Sequence, residues 1–260
     1  MTQEEFDTKL QQYLETYGYR LYSKAIKESI QPIIDALNES ESVAFTNSIA
    51  TLLYTGVPIA AAMQTFYNTA WKKQSDGYIK WLKANLPPEA TLGVGFSNPV
   101  MDAALKDYFN TIGGQHIKDI NDTSLKRIQE AFRTALDNNE GFRGAEKRLI
   151  KEVGMNKTRA RLIARTESVM VTNAAKFTQS ELLPILMEKT WLHDHPKNPR
   201  SWHVSLNRKT IDLDKKFNMI NGIKMKHPGD PAGGVQNNAN CKCTMLTKAK
   251  LDEENNIIYK

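Results

Sequence analysis

From Glu4 to about Ala36 apolar residues recur at Phe6, Leu10, Tyr13, Leu14, Tyr17, Leu21 and Ala25, the three-or-four spacing of one helix face. Pro32 removes a backbone donor and is expected to kink or divide this segment. A second helix is expected from about Glu41 to Tyr54, stopping near Gly56. Pro58 suits the first turn of a third, which extends to about Asn85 and carries Met63, Phe66, Tyr67, Ala70, Trp71, Tyr78, Trp81 and Leu82. Leu86 to Pro99 is rich in proline and glycine and reads as a loop. A shorter helix follows from about Val100 to Phe109. Gly113 and Gly114 break the pattern, marking a hinge or domain boundary at about residues 110–121.

Three more helical stretches come next. Asp122 or Thr123 is placed to cap LKRIQEAFRTALDN. GFRGAEKRLIKEVG predicts a shorter helix ending at Gly154, and NKTRARLIARTESVMVTNAAKFTQSEL one running to about Leu182, before Pro184. The texture then changes. EKTWLHD reads as a strand, Arg200 to Leu206 as a short helix, Asn221 to Asn240 as a Gly/Pro/Asn-rich loop, and CKCTMLTKA as a final strand. The fold class predicted is mainly α with a small α+β C-terminal domain, its helices packed on a short sheet. The expected domains are a helical bundle or arm over 1–120, a second domain over 121–248 and a C-terminal tail over 249–260.

Composition changes this picture little. Hydrophobic residues make up 40% and charged residues 25%, the balance of a soluble globular chain rather than a disordered or fibrous one. No uninterrupted apolar run approaches the roughly 20 residues of a membrane span. The opening MTQEEFDTKL lacks the basic start and apolar core of a secretory signal, so a cytoplasm-like compartment and no membrane partner are expected. The net charge of +6 favours an acidic partner such as nucleic acid without requiring one. The two cysteines, Cys241 and Cys243, are too few for a disulfide framework and too close for an unstrained bridge, so free thiols are expected.

A series of segments in the C-terminal half, taken in order, resembles the phage Mu F-like (head morphogenesis) family. They are the helix RARLIARTESVMVTNAA with Ala164, Arg165, Thr166, Glu167 and Asn173; the strand Lys189-Thr190-Trp191 leading to Asp194; Arg200 with His203 and Leu206; Phe217 and the loop His227-Pro228-Gly229-Asp230-Pro231; and Asn240-Cys241-Lys242-Cys243. The resemblance covers about residues 121–248. It departs from the family where HPKNP separates Asp194 from Arg200, which are normally close to the histidine in one compact motif. The resemblance implies a minor capsid protein of a tailed phage, binding portal or major capsid protein and double-stranded DNA without sequence specificity. It implies a place inside the head, and in host cytoplasm during assembly, and a part in head assembly and genome packaging or delivery. It gives Arg165, Glu167, Asn173, Trp191, Asp194, Arg200, His203, Asp230, Cys241 and Cys243 structural roles. No toxin domain is expected after the last strand.

Three clusters carry candidate chemistry. Arg143, Lys147, Arg148, Lys151, Lys157, Arg159 and Arg161 form a basic stretch fit to neutralise phosphates; the same residues also suit a solvated helix face. Cys241 and Cys243, two apart, suit buried thiols, the reading in which no cofactor is expected. With His203, and His227 or His195, they also suit a tetrahedral zinc site. His193, Asp194, Arg200 and His203 suit either a polar network fixing the loop after the strand or a metal-independent nuclease or toxin-like enzyme using His203 and Arg200. Walker, HExxH and GxSxG motifs do not occur, so the common enzyme classes have no foothold and a binding role is preferred. A plain non-specific DNA-binding protein is the other alternative. Trp71, Trp81 and Trp202 read as core.

Overall fold

The computed structural model describes residues 1–91, 99–154, 157–194, 199–219 and 222–260. Among the described residues, seven long or medium helices precede the sheet: α1 (Gln3–Ser40), α2 (Val43–Leu53), α3 (Val57–Asn85), α4 (Pro99–Tyr108), α5 (Gly114–Asp137), α6 (Phe142–Leu149) and α7 (Lys157–Glu181). After them come β1 (Met187–Leu192), α8 (Ser201–Val204), β2 (Thr210–Asp212), β3 (Phe217–Asn218), β4 (Lys224–Met225), α9 (Gly234–Asn238) and β5 (Thr244–Ala249). The chain is mainly α with a small α+β C-terminal part, as its periodicity predicts.

Several boundaries differ from the sequence reading. α1 runs through Pro32 undivided, because one missing donor does not outweigh the buried stripe of Ile26, Ile30, Ile33 and Leu37 on either side. Gly113 and Gly114 do not break the chain: a single π turn over Phe109–Gly113 joins α4 to α5. Asp122 and Thr123 therefore lie inside α5 and cap nothing; the Thr123 hydroxyl donates back to the Asp119 carbonyl at 2.7 Å. The stretch read as a loop before β5 contains β4 and α9. Thr46–Asn85 is, by length and composition, apolar enough to cross a membrane, contrary to the reading from uninterrupted runs. The break between α2 and α3 interrupts it, and 22% of its most apolar stretch is buried.

The chain divides into two compact units. One comprises residues 17–66 and 108–163. Its core joins Ile30, Ile33 and Leu37 of α1 and Ala50 of α2 to Ile128, Phe132 and Ala135 of α5 and Ala145 and Leu149 of α6. On α5 these positions repeat every three or four residues, the signature of one buried face.

The other unit comprises residues 1–16, 67–107 and 164–260. It contains an antiparallel three-stranded sheet in the order β2-β1-β5 and the β3-β4 hairpin. In β1, Met187, Lys189 and Trp191 are buried and alternate with half-buried neighbours, the period-two pattern of a strand with one covered face. One cluster packs Tyr78, Leu82, Phe177, Leu183, Met187 and Met245 together; another gathers Trp191, Leu206, Phe217, Met225, Cys241 and Cys243. The terminal residues return to the strands: Leu186 N–H donates to Ile258 O at 2.8 Å, and Lys260 N–H to Pro184 O at 3.0 Å.

Candidate functional site

The segment before β5 turns sharply at Asn240, whose φ is +59°. That turn brings the sulfurs of Cys241 and Cys243 together before the strand begins at Thr244, and the Cys243 N–H donates to the Cys241 Sγ at 3.4 Å. One turn of helix, α8, presents His203 to both sulfurs, with Nδ1 3.6 Å from Cys241 Sγ and 3.5 Å from Cys243 Sγ. All three side chains are buried, and the edge of Trp191 closes one side of the imidazole at 5.3 Å. The two cysteines form no disulfide. A hydrogen bond from Cys243, helped by His203, holds the Cys241 thiol well below its usual range. The same hydrogen bond and burial push the Cys243 thiol up, as expected of two groups that share one proton.

A cavity of about 170 Å³ is lined by these three residues together with His193, Asp194 and Arg200. The polar network expected among Asp194, Arg200 and His203 is arranged differently. Arg200 donates from Nε to the Gln236 carbonyl at 2.7 Å and from Nη2 to the Ala239 carbonyl at 2.8 Å, pinning the end of α9. Asp194 is exposed and pairs with Lys242 at 3.5 Å instead. Two of the guanidinium's donating positions are committed to the backbone and the imidazole faces sulfur, which leaves this trio poorly disposed as acid, base and phosphorane clamp. Of the other histidines considered as ligands, His227 packs on Phe177 and contacts the Pro228 carbonyl at 3.0 Å, apart from the sulfurs. His195 lies outside the described residues.

Of the remaining family-pattern residues, Asn173 contacts the sheet, while Arg165, Glu167 and Asp230 hold partners in turns and helices. β5 lies at the edge of the three-stranded sheet, and side chains meet the outward backbone groups of Met245 and the N–H of Thr247. Asn173 of α7 accepts from the Met245 N–H at 2.9 Å and donates to the Cys243 carbonyl at 3.3 Å. Lys176 donates to the Met245 carbonyl at 2.7 Å and Gln3 accepts from the Thr247 N–H at 2.8 Å. Lys176 is fully buried in an ion pair with Asp7; burial pushes the carboxyl up and the ammonium down, against their mutual attraction. Arg165 pairs with Glu15 and donates to Asn240 at 2.7 Å, while the Thr166 hydroxyl accepts from the Asn240 N–H at 3.0 Å, so α7 fixes the turn that carries the cysteines. Glu167 accepts a short hydrogen bond from the Tyr67 hydroxyl. Asp230 caps the following turn by accepting from the Ala232 N–H at 3.0 Å. Neither Gln3, Asp7 nor Lys176 was singled out by pattern; the one signal was polar residues at positions 3 and 7, in line with the buried Leu10 and Leu14.

The basic stretch divides by role. Arg159 is buried, donating to the Ile120 carbonyl at 2.8 Å and the Ser124 hydroxyl at 2.9 Å. Arg148 is half-buried in a bidentate pair with Glu140. Both therefore hold partners within the protein. Arg143, Lys147, Lys151 and Arg161 are exposed, and the side chain of Lys157 lies outside the described residues. Trp71 is buried as expected, and Trp81 and Trp202 are half-buried, Trp202 donating to Asn237 at 2.8 Å.

These features define a helical protein whose long α7 holds the edge of a small sheet through polar side chains. Residues 126–246 match the model of the Phage Mu protein F like protein family. The minor head protein GP7 of Bacillus phage SPP1 is 28% identical over 124 residues, which are 47% of this chain and 40% of the relative. The uncharacterized protein YqbB of Bacillus subtilis (strain 168) is 26% identical over 121 residues, 45% of this chain and 40% of the relative. The chain thus spans about two-fifths of the length of these curated relatives. No solved structure matches.

Proposed function

We propose that the protein is a minor capsid protein of a tailed phage, located inside the head and acting by binding. The observation that carries this reading is the family match over 126–246, reinforced by similarity over 124 residues to a minor head protein. Helices outside that region would dock on portal or major capsid protein, and assembly would begin in the host cytoplasm. The test is quantitative mass spectrometry of purified virions and proheads. The protein is expected in both at low copy number beside portal, and absence from both would overturn the reading.

The exposed Arg143, Lys147, Lys151 and Arg161 support a second element, contact with packaged DNA through phosphates. If each meets one phosphate, the slope of log affinity against log salt is about −3 to −4, or roughly a 100-fold loss between about 50 and 200 mM. Replacing the four with glutamine should flatten the slope, and affinity for duplex DNA indifferent to salt would remove this element. A nuclease or toxin role for His203 and Arg200 is disfavoured by the partners these side chains hold. Cleavage of plasmid or RNA that disappears in His203→Ala would reverse that judgement.

A further inference from the structure

We propose that His203 Nδ1, Cys241 Sγ and Cys243 Sγ hold a zinc ion, with a fourth donor drawn from the cavity they line. This inference is independent of the head reading.

The distances are the first support. Zinc bonds sulfur at about 2.3 Å and imidazole nitrogen at about 2.0–2.1 Å, so a tetrahedral site separates a ligating nitrogen from a ligating sulfur by about 3.6 Å. The two nitrogen–sulfur separations are 3.6 and 3.5 Å, and all three donor atoms lie within 4.8 Å of one another. The direction of the donors is the second. An imidazole nitrogen has one in-plane lone pair or one hydrogen, so it makes one linear hydrogen bond and not two. Nδ1 nevertheless faces both sulfurs at almost equal distance, the arrangement of ligands around a shared centre.

The local chain explains how a C-x-C pair does the work usually given to cysteines two to four residues apart. The left-handed turn at Asn240 folds the backbone back, and the Cys243 N–H bonds the Cys241 sulfur, so the sulfurs converge without lying on a strand. The setting gives the ion a purpose. β2, β3 and β4 are three, two and two residues long, so the sheet offers little pairing of its own. A metal joining His203 to residues 38 and 40 positions away would staple α8 to the strand's entrance. His193 and Asp194 line the same cavity, and a water there would serve equally as fourth ligand.

The test uses the full chain made without a histidine tag. Elemental analysis is expected to find about one zinc per chain, retained through gel filtration and lost to a strong chelator with a fall in thermal midpoint. Cobalt added to the stripped protein should give a thiolate-to-metal charge-transfer band, which falls to about half in Cys241→Ser or Cys243→Ser. His203→Ala should bind metal at least tenfold more weakly. Should the serine variants fail to fold, the cobalt spectrum of the unmutated protein decides alone. A cobalt-treated protein without a sulfur band, or a metal-free protein whose melting chelator and zinc leave unchanged, would overturn the proposal in favour of two hydrogen-bonded thiols.

Discussion

Replacing Asn173 with alanine tests whether α7 holds the sheet through one side chain. Asn173 is 1% exposed. Its carbonyl oxygen accepts from the Met245 N–H at 2.9 Å and the Thr244 hydroxyl at 3.3 Å; its amide donates to the Cys243 carbonyl at 3.3 Å and the Val169 carbonyl at 2.9 Å. Alanine would spare Val169, whose carbonyl also lies in the helix ladder, and Thr244, which is half-buried and can turn to water. It would strand the Met245 N–H and the Cys243 carbonyl on an edge with no strand beside it. An orphaned buried backbone group costs about 1–3 kcal/mol, and the longer bond to Cys243 sits at the low end, so a total of about 3 kcal/mol is expected. At about 1.4 kcal/mol per factor of ten, the Met245 amide should lose roughly 100-fold in hydrogen-exchange protection. Asn173→Asp should keep the bond to Met245 and lose the one to Cys243, giving an intermediate loss of protection. Exchange at Met245 within about threefold of the parent in the alanine variant would refute the reasoning.

Three further outcomes follow from buried positions. Gly229 has φ of +78°, and a Cβ there would stand 2.9 Å from the Met170 Cα on α7, so Gly229→Ala should cost about 2–4 kcal/mol, read as a lower melting midpoint; a change below about 0.5 kcal/mol would show that the loop yields. Burial pulls His227 below its ordinary 6.5, against Asp230 and the Pro228 carbonyl. The unfolded chain therefore takes up a proton that the folded chain refuses, and stability should fall as pH drops below about 6.5, less so in His227→Gln. Burial pulls the Lys189 ammonium down to about 8 from 10.5, opposed chiefly by Glu181 and Asp214. Between those values the unfolded state binds more protons, so stability should rise with pH from about 8 to about 10.5, an increment that urea midpoints should show missing in Lys189→Met.

The helices and the two principal strands were legible because their buried residues repeat at the period of their element. α5 shows this at Ile128, Phe132 and Ala135, and β1 at Met187, Lys189 and Trp191. The breaks were less so. Pro32 and the Gly113-Gly114 pair are local signals for interruption, yet α1 and the α4–α5 join remain helical, since propensity is a weak prior against packing. At the candidate site, ordered motifs pointed to His203, Cys241 and Cys243, which do converge. The partners of Arg200 were not legible, because backbone carbonyls at Gln236 and Ala239 carry no mark in a sequence. Nor were those of Arg148 and Arg159: a run of cations looks alike whether each meets solvent, Glu140 or a helix carbonyl.

The side chains of Asn173, Lys176 and Gln3 along β5 also govern what the sheet can join. A strand offered by a neighbouring molecule would find those hydrogen-bonding positions taken, and the opposite margin, β2, is a template of only three residues. Growth by adding strands, the route by which crowded proteins polymerise into fibrils, is therefore blocked at one rim and stunted at the other.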